Sequence, residues 1–121
     1  MATVRYLVDD VHAAVAFYRD GLGFEVKQHF GPNMAILTKG DLTLWTAGPG
    51  ASAAHAMPDG RVPQPGGWNR FVLEVDDLDA AIADLTLRGA KFRNDIVSGP
   101  GGRQILVEDP SGNVIELFQA G

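Results

Sequence analysis

Two stretches of helical periodicity stand out against short runs of alternating hydrophobicity. Val11, Ala14, Val15 and Tyr18 follow the i, i+3, i+4, i+7 spacing of one helical face, and Leu78, Ala81, Ile82 and Leu85 repeat it 67 residues later. Each stretch begins behind an aspartate pair, Asp9-Asp10 and Asp76-Asp77, whose side chains suit a helix N-cap. Each meets glycine at its end, Gly21 and Gly23 in the first copy and Gly89 in the second, where a left-handed C-cap carries no Cβ penalty. A strand-like segment precedes each helix, TVRYLV (3–8) and RFVLEV (70–75). Three follow it: FEVKQHF (24–30), MAILTK (34–39) and DLTLWTA (41–47) in the first half, AKFRNDIV (90–97), RQILVE (103–108) and NVIELFQ (113–119) in the second. Gly40-Asp41, GPGG and DPSG supply turns. The pattern predicts an α+β fold made of two tandem βαβββ modules.

The duplication is visible in the residues themselves. VDDVHAAVA (8–16) and VDDLDAAIA (75–83) agree at six of nine positions. The expected organisation is one domain over 1–121, with module one at about 1–47, a connector at 48–67 and module two at about 68–121. The connector, GPGASAAHAMPDGRVPQPGG, holds five glycines and four prolines. It reads either as an inert link or as a lid over a ligand cleft.

Composition narrows the functional classes. A chain of 121 residues is long enough to bury a core without staples. The absence of cysteine removes disulfides, thiolate metal sites and a cysteine nucleophile. The formal charge of -5, with no Lys/Arg cluster, argues against a nucleic-acid partner. No run of about 18 apolar residues predicts a membrane span, and MATVRYLV has none of the regions of a signal peptide. The expectation is a cytoplasmic protein.

The chemistry concentrates near the C-terminus, where Glu116 lies in a predicted strand and shares a face with Val114 and Phe118. A metal ion, a buried cation or a wet face would each account for a carboxylate there. FYRDGLGF in the first helix and EDPSGNVIEL before the last strand, together with the doubled βαβββ pattern, resemble the vicinal oxygen chelate superfamily, which holds glyoxalase I, extradiol dioxygenases, and fosfomycin- and bleomycin-resistance proteins. The resemblance covers nearly the whole chain. It implies half-barrel modules forming a curved mixed sheet with a central cleft and helices outside, and a homodimer. It also implies that metal-dependent members carry His or Glu ligands on the first and last strands of each module. The matching positions here are Thr3, Leu44, Arg70 and Glu116.

That set does not suit a metal. Leu44 has no donor atom, Thr3 is a weak donor, and Arg70 is a cation without a lone pair. His12 is expected on a solvated helix face, His55 in the connector, and His29 alone on the second strand. No metal or other cofactor is therefore predicted. Arg70 and Glu116 instead suggest a charge pair, with the guanidinium taking the carboxylate bidentately. Strand alternation then predicts a mainly apolar trough, with Arg5, Leu7, Leu42, Thr46, Val72, Glu74, Val114 and Phe118 joining Thr3, Leu44, Arg70 and Glu116. Of these, Arg5, Leu44, Thr46, Arg70, Val72, Glu74, Glu116 and Phe118 are the expected ligand contacts. Trp45 is expected to pack toward the helices, and Trp68 is open to either role.

Two functions remain. One is a metal-free binding protein resembling the bleomycin-resistance group, which holds a small natural product unchanged; this reading is preferred. The other is an enzyme of the lyase, isomerase or dioxygenase-like kind, either a metal-independent lyase or isomerase with Glu116 or His29 as general base or a metalloenzyme whose ligands lie at other positions than those matched. No Ser-His-Asp arrangement or phosphate-cradling loop is visible, and GPGG precedes a strand, so it reads as a turn. In both readings the partner is a small molecule.

Overall fold

Asp10 and Asp77, the second aspartate of each pair, start the two helices. Their Oδ1 atoms accept from the backbone N–H of Ala13 (3.1 Å) and Ala80 (3.0 Å), which satisfies donors that have no partner inside a helix. The structure, a computed structural model, describes residues 2–121, and Met1 lies outside the described residues. The chain divides into two units, Met1–Gly66 and Gly67–Gly121.

The first unit contains β1 (Thr3–Leu7), α1 (Val11–Ala16), β2 (Glu25–Phe30), β3 (Met34–Lys39) and β4 (Leu42–Ala47). Its sheet runs β1-β4-β3-β2, with β1 parallel to β4 and the other pairs antiparallel. The second unit contains β5 (Arg70–Glu74), α2 (Leu78–Leu87), β6 (Lys91–Phe92), β7 (Val97–Gly99), β8 (Gly102–Glu108) and β9 (Val114–Ala120). Its order is β5-β9-β8, and β6 and β7 both pair antiparallel with β8. Again the first and last strands are parallel and adjacent. The βαβββ repeat is thus present in both units.

The two helices end differently, and the difference amounts to one residue. At the end of α2, Gly89 takes φ 82° while its N–H bonds Thr86 O and Ala90 N–H bonds Leu85 O, a Schellman closure. The first copy holds one residue more before its positive-φ glycine, Gly23. A π-helical turn at Phe17–Gly21 absorbs that residue. Gly21 sits within the turn, so Gly23 alone serves as the left-handed position.

Each unit has its own core on the helix side of its sheet. Val11, Ala14, Val15 and Tyr18 are buried with Ala35, Leu37 and Leu44 in the first, and Tyr18 meets Phe24 edge to face at 5.4 Å. Leu78 and Leu85 are buried with Ile105, Val107, Ile115 and Leu117 in the second. Full burial of each such Leu or Ile stabilises by about 1.5–3 kcal/mol relative to exposure.

One expected strand is broken. AKFRNDIV (90–97) does not form a single strand; β6 and β7 are separated by residues 93–96. The Asn94 side chain replaces part of the ladder, its Oδ1 accepting from Leu106 N–H at 3.0 Å. Beside it the Arg93 side chain is committed elsewhere: Nε–H to Glu108 Oε2 (2.8 Å), Nη1–H to Gly67 O (2.7 Å) and Nη2–H to Gly112 O (2.9 Å). In GPGG, Gly102 is required for packing as well as turning, because a Cβ there would collide with the Gln119 carbonyl oxygen. The connector starts on a fixed anchor, with Gly48 N–H bonded to Asn33 O at 2.8 Å. It then passes a 3-10 turn at Ser52–Ala54 and an exposed turn closed by Met57 N–H to Arg61 O at 2.7 Å.

Candidate functional site

Glu116 owes its position to the turn before it. Asp109 accepts from Ser111 N–H, Asn113 N–H and Asn113 Nδ2–H, all at 2.9 Å, and Gly112 takes φ 86°. Asp109 and Asn113 are both buried, so this closed polar knot fixes where β9 begins. From there the alternation of β9 puts Val114, Glu116 and Phe118 on the face opposite α2. The parallel register sets Arg70 beside Val114, Val72 beside Glu116 and Glu74 beside Phe118. The second unit therefore brings together Arg70, Val72, Glu74, Glu116 and Phe118 as the sequence predicts.

Arg70 and Glu116 form an ion pair. Nε–H donates to Glu116 Oε1 at 3.1 Å, and Nη2 lies 3.0 Å from the same oxygen. The expected grip of both carboxylate oxygens is not the one found, since two guanidinium nitrogens share one oxygen. The Glu116 side chain is 12% exposed and that of Arg70 32%. Around them lie Leu106, directly across from Glu116 on β8, and Val72, which is 51% exposed.

The first unit requires a correction. Leu42, Leu44 and Thr46 do not share a face with Arg5. The parallel register pairs Thr3 with Thr43, Arg5 with Trp45 and Leu7 with Ala47, so Leu44 and Thr46 point to the α1 side, where both are fully buried. Trp45, expected among the helices, takes their place: the Arg5 guanidinium lies over its ring at 4.9 Å. Matching GDLTL to GNVIE set the two last strands one residue out of step, and a one-residue slip turns every side chain to the other face. By register the counterpart of Glu116 is Trp45, because Arg5 and Val72 occupy equivalent positions on β1 and β5. Thr46 Oγ1 is buried without a hydrogen-bond partner among the described residues.

His29 also lies on the α1 side of its sheet, its ring 4.7 Å from that of His12, and it does not join Arg5 and Trp45. A cavity of about 680 Å³ opens at the end of β2, β3 and β4, lined by Glu25, Lys27, Thr38, Lys39 and Asp41 among others, and it includes none of the expected ligand residues. Sequence reasoning missed a further cluster in the second unit, where Arg93, besides its three bonds, stacks on Trp68 with its Cζ 4.4 Å from the ring centroid. An arginine inside a predicted strand, next to an Asn-Asp pair, was the available signal.

The family's metal chemistry can be tested against these donors, and they do not fit it. Arg70 places a cation on Glu116, Trp45 and Thr3 offer no good ligand, and among the described residues no three His, Asp or Glu side chains are grouped to hold a metal ion.

The model of the glyoxalase/bleomycin resistance protein/dioxygenase superfamily matches residues 1–117. The chain belongs to this superfamily. Its solved relatives include TnmS3, an antibiotic binding protein from Streptomyces sp. CB03234, at 30% identity and a TM-score of 0.73 over 98% of this chain and 93% of that one. Lactoylglutathione lyase from Agrobacterium tumefaciens shares the fold, with 22% identity and a TM-score of 0.74 over 98% of this chain and 92% of that one. Among curated proteins, mouse mitochondrial methylmalonyl-CoA epimerase is 26% identical over 97% of this chain and 71% of its own length. The superfamily thus places both binders and enzymes beside this chain. Among the described residues no helix is long and apolar enough to cross a membrane.

Proposed function

We propose that the protein binds a small organic molecule, of the natural-product or antibiotic type, and releases it unchanged without using a metal. The observation that carries this reading is the Arg70 guanidinium on Glu116 Oε1, because it places a permanent cation where a metal-dependent relative would need an anionic ligand free to coordinate. The 30% identity to an antibiotic binding protein supports the ligand class. The reading includes a cytoplasmic location and a homodimer, and the exposed apolar residues Phe30 and Val72 on edge strands support the dimer.

A second reading, an enzyme acting on a small organic substrate, is favoured by the likeness to methylmalonyl-CoA epimerase. In that case Glu116 is the candidate base, since it faces away from the helix layer while His29 lies beside His12.

One screen separates the two. Purified protein is titrated with planar and glycopeptide natural products, followed by calorimetry, with mass spectrometry of the recovered compound and elemental analysis of the protein. The expected outcome is saturable binding at micromolar or better affinity, an unchanged compound and no stoichiometric divalent metal. Product formed in turnover and lost in Glu116→Gln would replace the binder with the enzyme.

A further inference from the structure

Two histidines from distant parts of the sequence meet at the surface of the first unit. His12 stands on the first turn of α1, which the Asp10 carboxylate fixes through Ala13 N–H. His29 stands on the edge strand β2, held in register opposite the buried Ala35. Their ring centroids are 4.7 Å apart, and the ring planes are tilted by 51°. Both residues are exposed, and no ring nitrogen of either has a hydrogen-bond partner among the described residues. The contact lies outside the core and satisfies no polar group, so neither packing nor hydrogen bonding accounts for it.

We propose that His12 and His29 form a two-histidine chelate for a late divalent transition metal, Zn²⁺ or Cu²⁺, in a different unit from Arg70 and Glu116. Neutral imidazole is the common ligand for these ions, whereas Mg²⁺ and Ca²⁺ need oxygen donors. The spacing fits. A metal–nitrogen bond of about 2.0–2.1 Å puts each ring centre about 3.2 Å from the ion, so two rings bound at tetrahedral or square angles stand about 4.5–5.2 Å apart. The observed 4.7 Å falls within that interval. Exposed rings turn about χ2 at little cost, so both can aim a nitrogen at one point while α1 and β2 hold their stems. The positive end of α1 opposes a cation here, and the neighbouring Asp9 and Asp10 offset it. Water completes the coordination. With two protein donors instead of the four of a structural zinc site, the ion is exchangeable and dialysis removes it. While bound it links the start of α1 to the outer edge of the sheet, and so stabilises the first unit by mass action.

The test titrates Zn²⁺ alone into the chelator-treated, full-length ¹⁵N-labelled protein at neutral pH and reads the imidazole nitrogens. The third histidine, His55 in the connector, is the internal control. The signals of His12 and His29 are expected to shift together along one saturation curve that ends at one equivalent, with His55 unmoved and Mg²⁺ without effect. Calorimetry on His12→Ala and on His29→Ala should show Zn²⁺ binding weakened at least about tenfold, since even groups that only orient a metal ligand are worth about ten- to a hundredfold. His55→Ala should bind as the wild type does. Both altered side chains are exposed, and the wild-type imidazole spectrum decides by itself if a variant does not fold. Equal shifts at all three histidines, a shift at only one of the pair, no shift at all, or wild-type affinity in either variant would each overturn the chelate.

Discussion

Arg70 and Glu116 show how much rests on a single hydrogen-bond choice. A pair fully exposed to water contributes between nothing and about 1 kcal/mol, and a fully buried one must offset a large desolvation cost. This pair lies between, with one side chain mostly enclosed and the other about one-third exposed. Arg70→Ala should therefore destabilise the wild type more than it destabilises a background carrying Glu116→Gln. Denaturant unfolding of the four proteins in a double-mutant cycle is expected to give a coupling of about 0.5–3 kcal/mol. Additive effects would show that the contact contributes nothing and would remove the physical basis for reading Glu116 as a fixed acceptor. The pairing was expected through the family resemblance, which puts ligand positions on the first and last strands of each module, and the repeat offset of 67 then placed Arg70 at the first of these in the second module. The sharing of one oxygen was not legible, since it depends on side-chain torsions that no sequence pattern encodes.

At the scale of elements, the repeat made both helices, their aspartate caps and most strands readable, because periodicity and capping are local properties. The faces of β4 were not readable. Ile36 and Leu37 are both apolar, as are Leu44 and Trp45, so alternation gave no sign of which side faces α1, and only the parallel pairing of Arg5 with Trp45 settles it. The break between β6 and β7 escaped for a related reason: AKFRNDIV alternates acceptably, and what interrupts it is the Asn94 side chain taking Leu106 N–H, beside a long-range commitment of Arg93 to Glu108, Gly67 and Gly112. That commitment predicts a measurable cost. Arg93→Ala leaves Glu108 without its cation and two backbone carbonyls without a donor, so it should lower stability by about 2–3 kcal/mol and alter the fluorescence of Trp68, which loses the guanidinium on its ring. Arg61→Ala is the control, since its partner Asp59 sits on an exposed turn, and it should stay within about 0.5 kcal/mol of wild type. Equal effects of the two substitutions would mean that the Arg93 cluster does not hold the broken edge in place.

At the scale of the whole molecule, the open question is what covers the sheet edges. The first sheet ends at β1 and β2, the second at β5 and at the β6/β7 side, and three of these edges carry exposed apolar side chains: Phe30 on β2, Val72 on β5 and Val97 on β7. Exposed apolar edge strands invite pairing with another chain, and the common closed solution is a two-fold dimer. Charge opposes it, because each chain carries a formal -5, but that repulsion is screened within about 8–10 Å at ordinary salt. Light scattering at micromolar concentration is therefore expected to give twice the 12.9 kDa chain mass. Raising the salt should tighten the dimer, since screening removes the repulsion and leaves the apolar contact intact. Phe30→Lys lies outside the Glu116 face, so it probes the β2 edge without touching the ligand residues, and it should shift the equilibrium toward monomer if that edge is used. A wild-type monomer at every salt concentration would refute the dimer, and a dimer that high salt dissociates would replace the apolar contact with one held by ion pairs.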